Sequence, residues 1–237
     1  MRQSIAQDWA REATKNQVQL TEQMVPEEYQ RHTKVFSEKE SLRFPPKRKE
    51  DMTIPLKADI ADVINCKVYP LTREERGLLK KFLAKELELG RIKEGPSLYT
   101  SPIYFINKKD SEEKCIIMDY CEVNKWTVRD NNPLPNIRKA LENLRNKTLF
   151  SKFNIRWGYN NIRIAKEDQY KAAFKTKNGT FILQVMYFGL RNMSPFFQRM
   201  MHRDFCKLLQ KYPENLGNYM DDWWIATESI QEGITLH

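Results

Sequence analysis

The sequence predicts an α+β fold in which strands and helices alternate irregularly. Short apolar runs bounded by turn residues, such as "IYFI" and "CIIMDY" around "NKKDSEEK", stand beside stretches of helical period such as "LLKKFLAKELELG". No βαβ unit repeats, which argues against a doubly wound parallel sheet. A length of 237 residues with 41% hydrophobic and 30% charged side chains allows a sizeable core, in one large domain or two lobes.

The elements follow in order. Ile5, Trp9, Ala13 and Leu20 have a loosely helical spacing with no chemistry attached. Residues 24–56 read as irregular and proline-punctuated, ending in a short strand-like run. In "YPLTREERGLLKKFLAKELELGRI", Thr72 with Glu75 forms a capping box. Leu79, Phe82, Leu83 and Leu87 give that helix its apolar face, and Gly90 stands where a C′ glycine ends it. A charged hairpin follows, then "NNPLPNIRKALENLRNK" as a proline-marked turn into a helix. "LFSKFNIRWGYNNIRIA" reads as strand, and "KAAFKTKNGTFILQVMYFG" as a hairpin turning at Asn178-Gly179. "SPFFQRMMHRDFCKLLQKY" is a helix with Ser194 as N-cap and Pro195 at N1.

Forty Lys+Arg against 31 Asp+Glu give a net charge of +9. That charge fits a nucleic-acid partner and equally fits a protein merely kept soluble. Cys66, Cys115, Cys121 and Cys206 are scattered without C-x-x-C spacing, and only three histidines occur, which argues against a zinc site and fits a reducing compartment. No apolar run approaches the roughly 20 residues needed to span a bilayer. No apolar h-region opens the chain, so an intracellular setting, cytoplasm or nucleus, is expected, with no membrane partner.

"GNYMDDWWIAT" holds the sharpest chemical signal. Asp221 and Asp222 repel one another unless a cation lies between them. Taken alone, the pair is also compatible with a solvated acidic hairpin tip. Trp223 and Trp224 are expected to face opposite sides of the strand.

Together with "MDYCEVNKWTVRDNNPLP", "LFSKFNIRWGYNNIRIA" and "FGLRNMSPFFQRMM", in that order, the "YMDD" box resembles the reverse transcriptases of gypsy-type LTR retrotransposons, especially the fungal chromovirus-like group. The likeness runs from "VPEEYQRHTKVFSEKESLRFPP" to the C-terminus. It implies the fingers and palm of a right-hand polymerase, with the thumb absent. It divides the chain into a connector at 1–50, fingers at 51–132 and 162–192, and palm at 133–161 and 193–237. The implied chemistry is RNA-directed DNA synthesis with two Mg²⁺ ions about 4 Å apart. The implied partners are an RNA or DNA template with primer, dNTPs, and further Pol parts (thumb, RNase H) on another chain.

The resemblance also assigns residues. Asp221 and Asp222 are metal ligands, and the backbone carbonyl of Ile155 is a further one. Lys108 meets the triphosphate, although on its own it reads as a solvated hairpin lysine. Tyr159 stacks beneath the nucleotide sugar and excludes a 2′-hydroxyl, a role compatible with a core position. Gln198 belongs to the helix near the template strand, grouped with the nucleotide-binding residues.

Several positions depart from the family. Asn154 stands where the family has the aspartate that bridges both metals, and a neutral amide oxygen holds Mg²⁺ far less well than a carboxylate. Losing one preorganised charge from a transition-state site costs on the order of 10²–10³ in rate. Cys115 replaces an arginine that grips the triphosphate, Cys121 the arginine of D-Y-R-x-L-N, and Met52 a histidine. "ENLGN" lacks the Val/Ile run that precedes the box, so a weak first hairpin strand is expected. The expectation is a reverse transcriptase fragment with impaired catalysis, with a non-catalytic nucleic-acid-binding remnant or pseudogene product as the alternative.

Overall fold

A computed structural model describes residues 25, 27–107 and 113–236. The chain falls into two compact units, Met1–Arg43 and Phe44–His237. In the first, a 3₁₀ turn at Glu27–His32 precedes two one-turn helices, α1 (Thr33–Phe36) and α2 (Glu38–Ser41), so this stretch is less irregular than its prolines imply. The Ser37 hydroxyl caps α2 by accepting from the Glu40 N–H. The helical spacing read over residues 1–24 lies outside the described residues.

The second unit runs β1 (Ile64–Asn65), α3 (Arg73–Glu88), β2 (Ile92–Glu94), β3 (Tyr99–Ser101), β4 (Ile103–Asn107), β5 (Lys114–Met118), α4 (Cys121–Trp126), α5 (Ile137–Asn143) and β6 (Leu149–Asn154). It continues β7 (Ala173–Thr176), β8 (Gly179–Leu183), α6 (Met193–Asp204), α7 (Cys206–Lys211), β9 (Leu216–Tyr219), β10 (Asp222–Thr227) and α8 (Ile230–Leu236). Five strands form one sheet in the order β1-β3-β7-β8-β2, three form another in the order β6-β10-β9, and β4-β5 is a separate hairpin. Only the β1–β3 and β3–β7 pairs among these strands are parallel. The mixed helix and strand content without a repeated parallel βαβ unit is the arrangement expected.

Helix α3 has its capping box: the Thr72 hydroxyl accepts from Glu75 N and the Glu75 carboxylate from Thr72 N. Gly90 follows with φ +68, the left-handed conformation that closes a helix. The buried line is Leu79, Leu83 and Glu86, while Leu87 is exposed. An inward carboxylate needs partners. The Tyr187 hydroxyl donates to Glu86, and the buried Arg91 guanidinium lies 4.0 Å from it. The apolar face read from the sequence is therefore one turn shorter than expected, because a buried polar cluster takes its last position.

Three further expectations are corrected. The strand read over "LFSKFNIRWGYNNIRIA" ends at Asn154, with a turn at 156–158 and a 3₁₀ helix at Tyr159–Asn161 after it. Thr176 pairs with Gly179, so Lys177-Asn178 is the turn and Gly179, at φ +140, supplies the glycine backbone just after it. The N-cap of α6 is Asn192, with Pro195 inside the first turn, where its missing N–H leaves no helix bond unmade. Ser194 does not cap, and the buried Asn192 side chain bonds Val128 O and Asp130 N, tying α6 to the segment after α4.

One contiguous core joins the layers. Phe174 and Phe181 stack at 5.5 Å within the five-stranded sheet, and Met52, Ile54, Ile103, Ile162 and Ile164 close around them. Phe197, Met200 and Met201 of α6 extend it to Trp223 of β10. Trp223 is buried against Phe205, whereas Trp224 is half-buried on the opposite side, as strand alternation requires.

Trp224 also explains why β9 forms without a Val/Ile run. It pairs directly with Gly217 and its ring fills the space above that glycine, so an added Cβ would come within 2.3 Å of Trp224 Cζ2. An aromatic ring covering a cross-strand glycine restores the contact that a β-branched residue would supply. We predict that Gly217→Val costs about 1–3 kcal/mol, the range for overpacking. The denaturant midpoint measures it, and Trp224→Ala in the same chain should recover part of the loss.

Candidate functional site

The β9-β10 hairpin turns at Met220-Asp221, since Tyr219 pairs with Asp222. A two-residue hairpin loop of this kind needs positive φ at its first central residue, and glycine is the usual occupant. Here Met220 takes φ +55, a conformation costing a methionine on the order of 1 kcal/mol or more. The surroundings hold it there. Met220 N donates to Gln198 Oε1 at 2.7 Å, and Gln198 Nε2 reaches Asn218 Oδ1 at 3.2 Å and His202 Nε2 at 3.0 Å. Gln198 is completely buried and Asn218 is 2% exposed, so both amides work where water does not compete. The Tyr159 hydroxyl lies 3.1 Å from Met220 Sδ on the other side.

Strand β6 supplies the facing wall. Asn154 is the register partner of Asp222, and Ile155 N donates to Asp221 O at 2.9 Å. Asn154 Nδ2 donates to Asp222 Oδ1 at 3.1 Å, and Lys152 Nζ reaches the same oxygen at 3.0 Å. A carboxylate can only accept, so the asparagine must present its NH₂ and turn its oxygen away. The Asn154 amide first, then the Lys152 ammonium, hold the Asp222 carboxyl below its ordinary range. A carboxyl lowered in this way contributes stability above its unfolded value and loses it only as pH falls through the folded one. The contact therefore survives mild acid.

Tyr159 is buried between Phe188 at 5.0 Å and Phe197 at 4.7 Å. Burial, then the Asp221 carboxylate, push its phenol above the ordinary tyrosine value. The Ile155 carbonyl accepts from Gly158 N at 3.2 Å, closing the turn that delivers Tyr159. Trp157 in that turn has φ +54, with Lys85 and Arg91 over its ring at 5.7 and 6.0 Å.

The structure thus brings Asn154, Ile155, Tyr159, Asp221 and Asp222 to one place. Gln198 joins them from behind, with its amide spent on the hairpin and His202 and its side chain closed to solvent, so that side chain is not presented to a template or nucleotide. Lys108 lies outside the described residues. Cys115 sits half-buried on β5 opposite Ile106. Sequence reasoning missed Lys152, Asn218 and His202. Lys152 had a signal in the two-residue strand period that places it on the Asn154 side, and His202 in its i+4 spacing from Gln198.

The donor set does not fit a pair of divalent ions. Among the described residues no group of three or more His, Cys, Asp and Glu is placed to hold a metal. The position that would complete such a group is Asn154, whose N–H points at Asp222. Two carboxylates, one already facing an ammonium, balance +4 poorly.

The family described as reverse transcriptase (RNA-dependent DNA polymerase) matches residues 106–237. The retrovirus-related Pol polyprotein from transposon 297 of Drosophila melanogaster is 31% identical over 173 residues, covering 71% of this chain and 16% of that protein. The counterpart from transposon opus of the same fly is 30% identical over 149 residues, covering 61% and 15%. The transposon Tf2-3 polyprotein of Schizosaccharomyces pombe is 28% identical over 166 residues, covering 70% and 12%. The chain spans less than a fifth of the length of each of these relatives.

Gln198→Leu should cost about 1–3 kcal/mol, because it takes the partner from the Met220 N–H and from the buried Asn218 Oδ1. Urea unfolding measures it. His202→Ala, which removes only the outermost contact, should cost less.

Proposed function

Because the chain belongs to the reverse transcriptase (RNA-dependent DNA polymerase) family, we propose that it binds primer–template and dNTP while its nucleotidyl transfer is impaired. It is a reverse transcriptase domain fragment of a retrotransposon-type Pol polyprotein. The β4-β5 hairpin with the five-stranded sheet serves as fingers, and the β6-β10-β9 sheet with α6 as palm. The order and wording of the motifs around "YMDD" support a gypsy-type, chromovirus-like affiliation.

Polymerase domains of this kind use divalent metal ions, Mg²⁺ in this reading, to transfer a nucleotide to a primer 3′-hydroxyl. Asp221 and Asp222 are the residues that would meet them. Tyr159 forms the platform beneath the sugar, Ile155 shapes the turn that carries it, and Lys108 faces the triphosphate. Gln198 positions the turn instead of touching substrate. The observation that carries the impairment is the Asn154 N–H donating to Asp222 where a third carboxylate is needed. The net charge of +9 supports retained attraction to phosphates.

Primer extension on poly(rA)/oligo(dT) with Mg²⁺ or Mn²⁺ tests the reading. The 237-residue chain should give no product above background, and Asn154→Asp at most a trace. Asn154→Asp with Cys115→Arg, joined to the thumb segment of a relative, should extend the primer. Robust extension by the unmodified chain would overturn the impairment. Binding of the same primer–template should weaken at least about tenfold between roughly 50 and 200 mM salt, and a flat response would remove the phosphate-contact reading.

A further inference from the structure

The carboxylate pair of the hairpin already has a cation of its own. Lys152 lies directly opposite Trp224 on β6, two residues from Asn154, so Lys152 and Asp222 are diagonal neighbours on the face that Asn154 shares. Lys152 Nζ stands 3.0 Å from Asp222 Oδ1, with side-chain exposures of 70% and 43%. Asn154 Nδ2 stands 3.1 Å from that same oxygen. Two donors from one strand therefore converge on one oxygen of Asp222, from the side on which the missing β6 carboxylate would help hold a metal.

We propose that the Lys152 ammonium is the resident counter-cation of Asp222, so that the chain balances its own hairpin carboxylate and a metal ion takes that oxygen only by displacing the lysine. The inference rests on reading Asp221 and Asp222 as the remaining metal-binding pair. It goes beyond the loss of a ligand at Asn154: the site is blocked by a competitor as well as short of a carboxylate. A cation on a flexible stem holds the hairpin at no cost in metal, and its exposure keeps the contact exchangeable. The hairpin accordingly needs no divalent ion to keep its shape, and the unfolding midpoint of the chain should be the same with and without a chelator.

Tb³⁺, a hard cation that prefers oxygen ligands and is sensitised by nearby indoles, reads the site through Trp223 and Trp224 without any reaction. The unmodified chain should bind Tb³⁺ weakly. Lys152→Met should tighten binding roughly two- to fivefold, the scale set by an exposed ion pair. Lys166→Met, which removes the same charge outside this sheet, should shift affinity by less than about half that factor. Asp222→Asn placed on Lys152→Met should abolish the gain, and Mn²⁺ should quench the luminescence competitively. Asn154→Asp should tighten binding on its own, and more so together with Lys152→Met. If Lys152→Met fails to fold by circular dichroism, Lys152→Gln carries the same comparison. Binding by Lys152→Met no tighter than by Lys166→Met, while Asn154→Asp still tightens it, would overturn the proposal and leave Lys152 a solvated surface lysine. These titrations are separate from primer extension, so an active unmodified chain would remove the impairment reading and leave the Lys152 comparison to stand or fall by itself.

Discussion

The hydrogen bond from Met220 N to the buried Gln198 amide is the contact on which the site depends. It holds a methionine in a left-handed turn that its own side chain disfavours. With that residue pinned, Asp221 is delivered at the tip and Asp222 at the first position of β10. The register with β6 then sets Asn154 opposite Asp222, and the Ile155-to-Asp221 backbone bond extends the pairing one step past the strand. Helix α6 is therefore the mount of the hairpin, and its cap residue Asn192 fixes that mount to the segment after α4.

A second buried polar group plays a comparable part on the other side. Glu86, Arg91 and Tyr187 form a cluster inside the fold, and Arg91 also lies over Trp157, in the turn between β6 and Tyr159. A buried carboxylate tolerates few arrangements, because each unmet lone pair is costly. The cluster reaches the Trp157 turn through the Arg91 guanidinium over its ring, while the core around Phe174 and Phe181 supplies apolar burial. The hairpin is anchored from behind by the buried Gln198 and Asn218 amides, and the acidic pair itself stays nearer the surface.

The electrostatics of that surface differ from those of a site built to collect divalent ions. Asp222 faces an amide N–H and an ammonium, donors that lower its proton affinity and occupy one of its oxygens. Asparagine preserves the shape that aspartate would give and reverses the polarity of the nearest atom. The hairpin therefore keeps its geometry while Asp222 faces a donor and not a second carboxylate. The Trp224 ring over Gly217 is a parallel case, in which one side chain replaces the packing that another position lacks.

Local patterns in the sequence determined much of this protein. The Thr72/Glu75 capping box, the Gly90 stop, the hairpin at Asp221-Asp222 and the opposed faces of Trp223 and Trp224 each depend on residues a few positions apart. The order of the motifs pointed to the reverse transcriptase family, and the residue at 154 to a position where this chain departs from it. Tertiary structure alone decided the rest. Glu86 turns inward because Arg91 and Tyr187 meet it there, and Gln198 serves the hairpin because its helix packs behind Met220, 22 residues away. Asn192 stands at the N-cap position of α6 with its side chain bonded to Val128 and Asp130 and not to the helix, because those residues come to it. The convergence of Lys152 and Asn154 on one Asp222 oxygen exists only in the assembled sheet, where strands 68 residues apart for the Asn154–Asp222 pair lie side by side. Propensity and period act over a few residues, whereas the partner of a buried or charged group is set by which distant segment the fold brings beside it with the right donor.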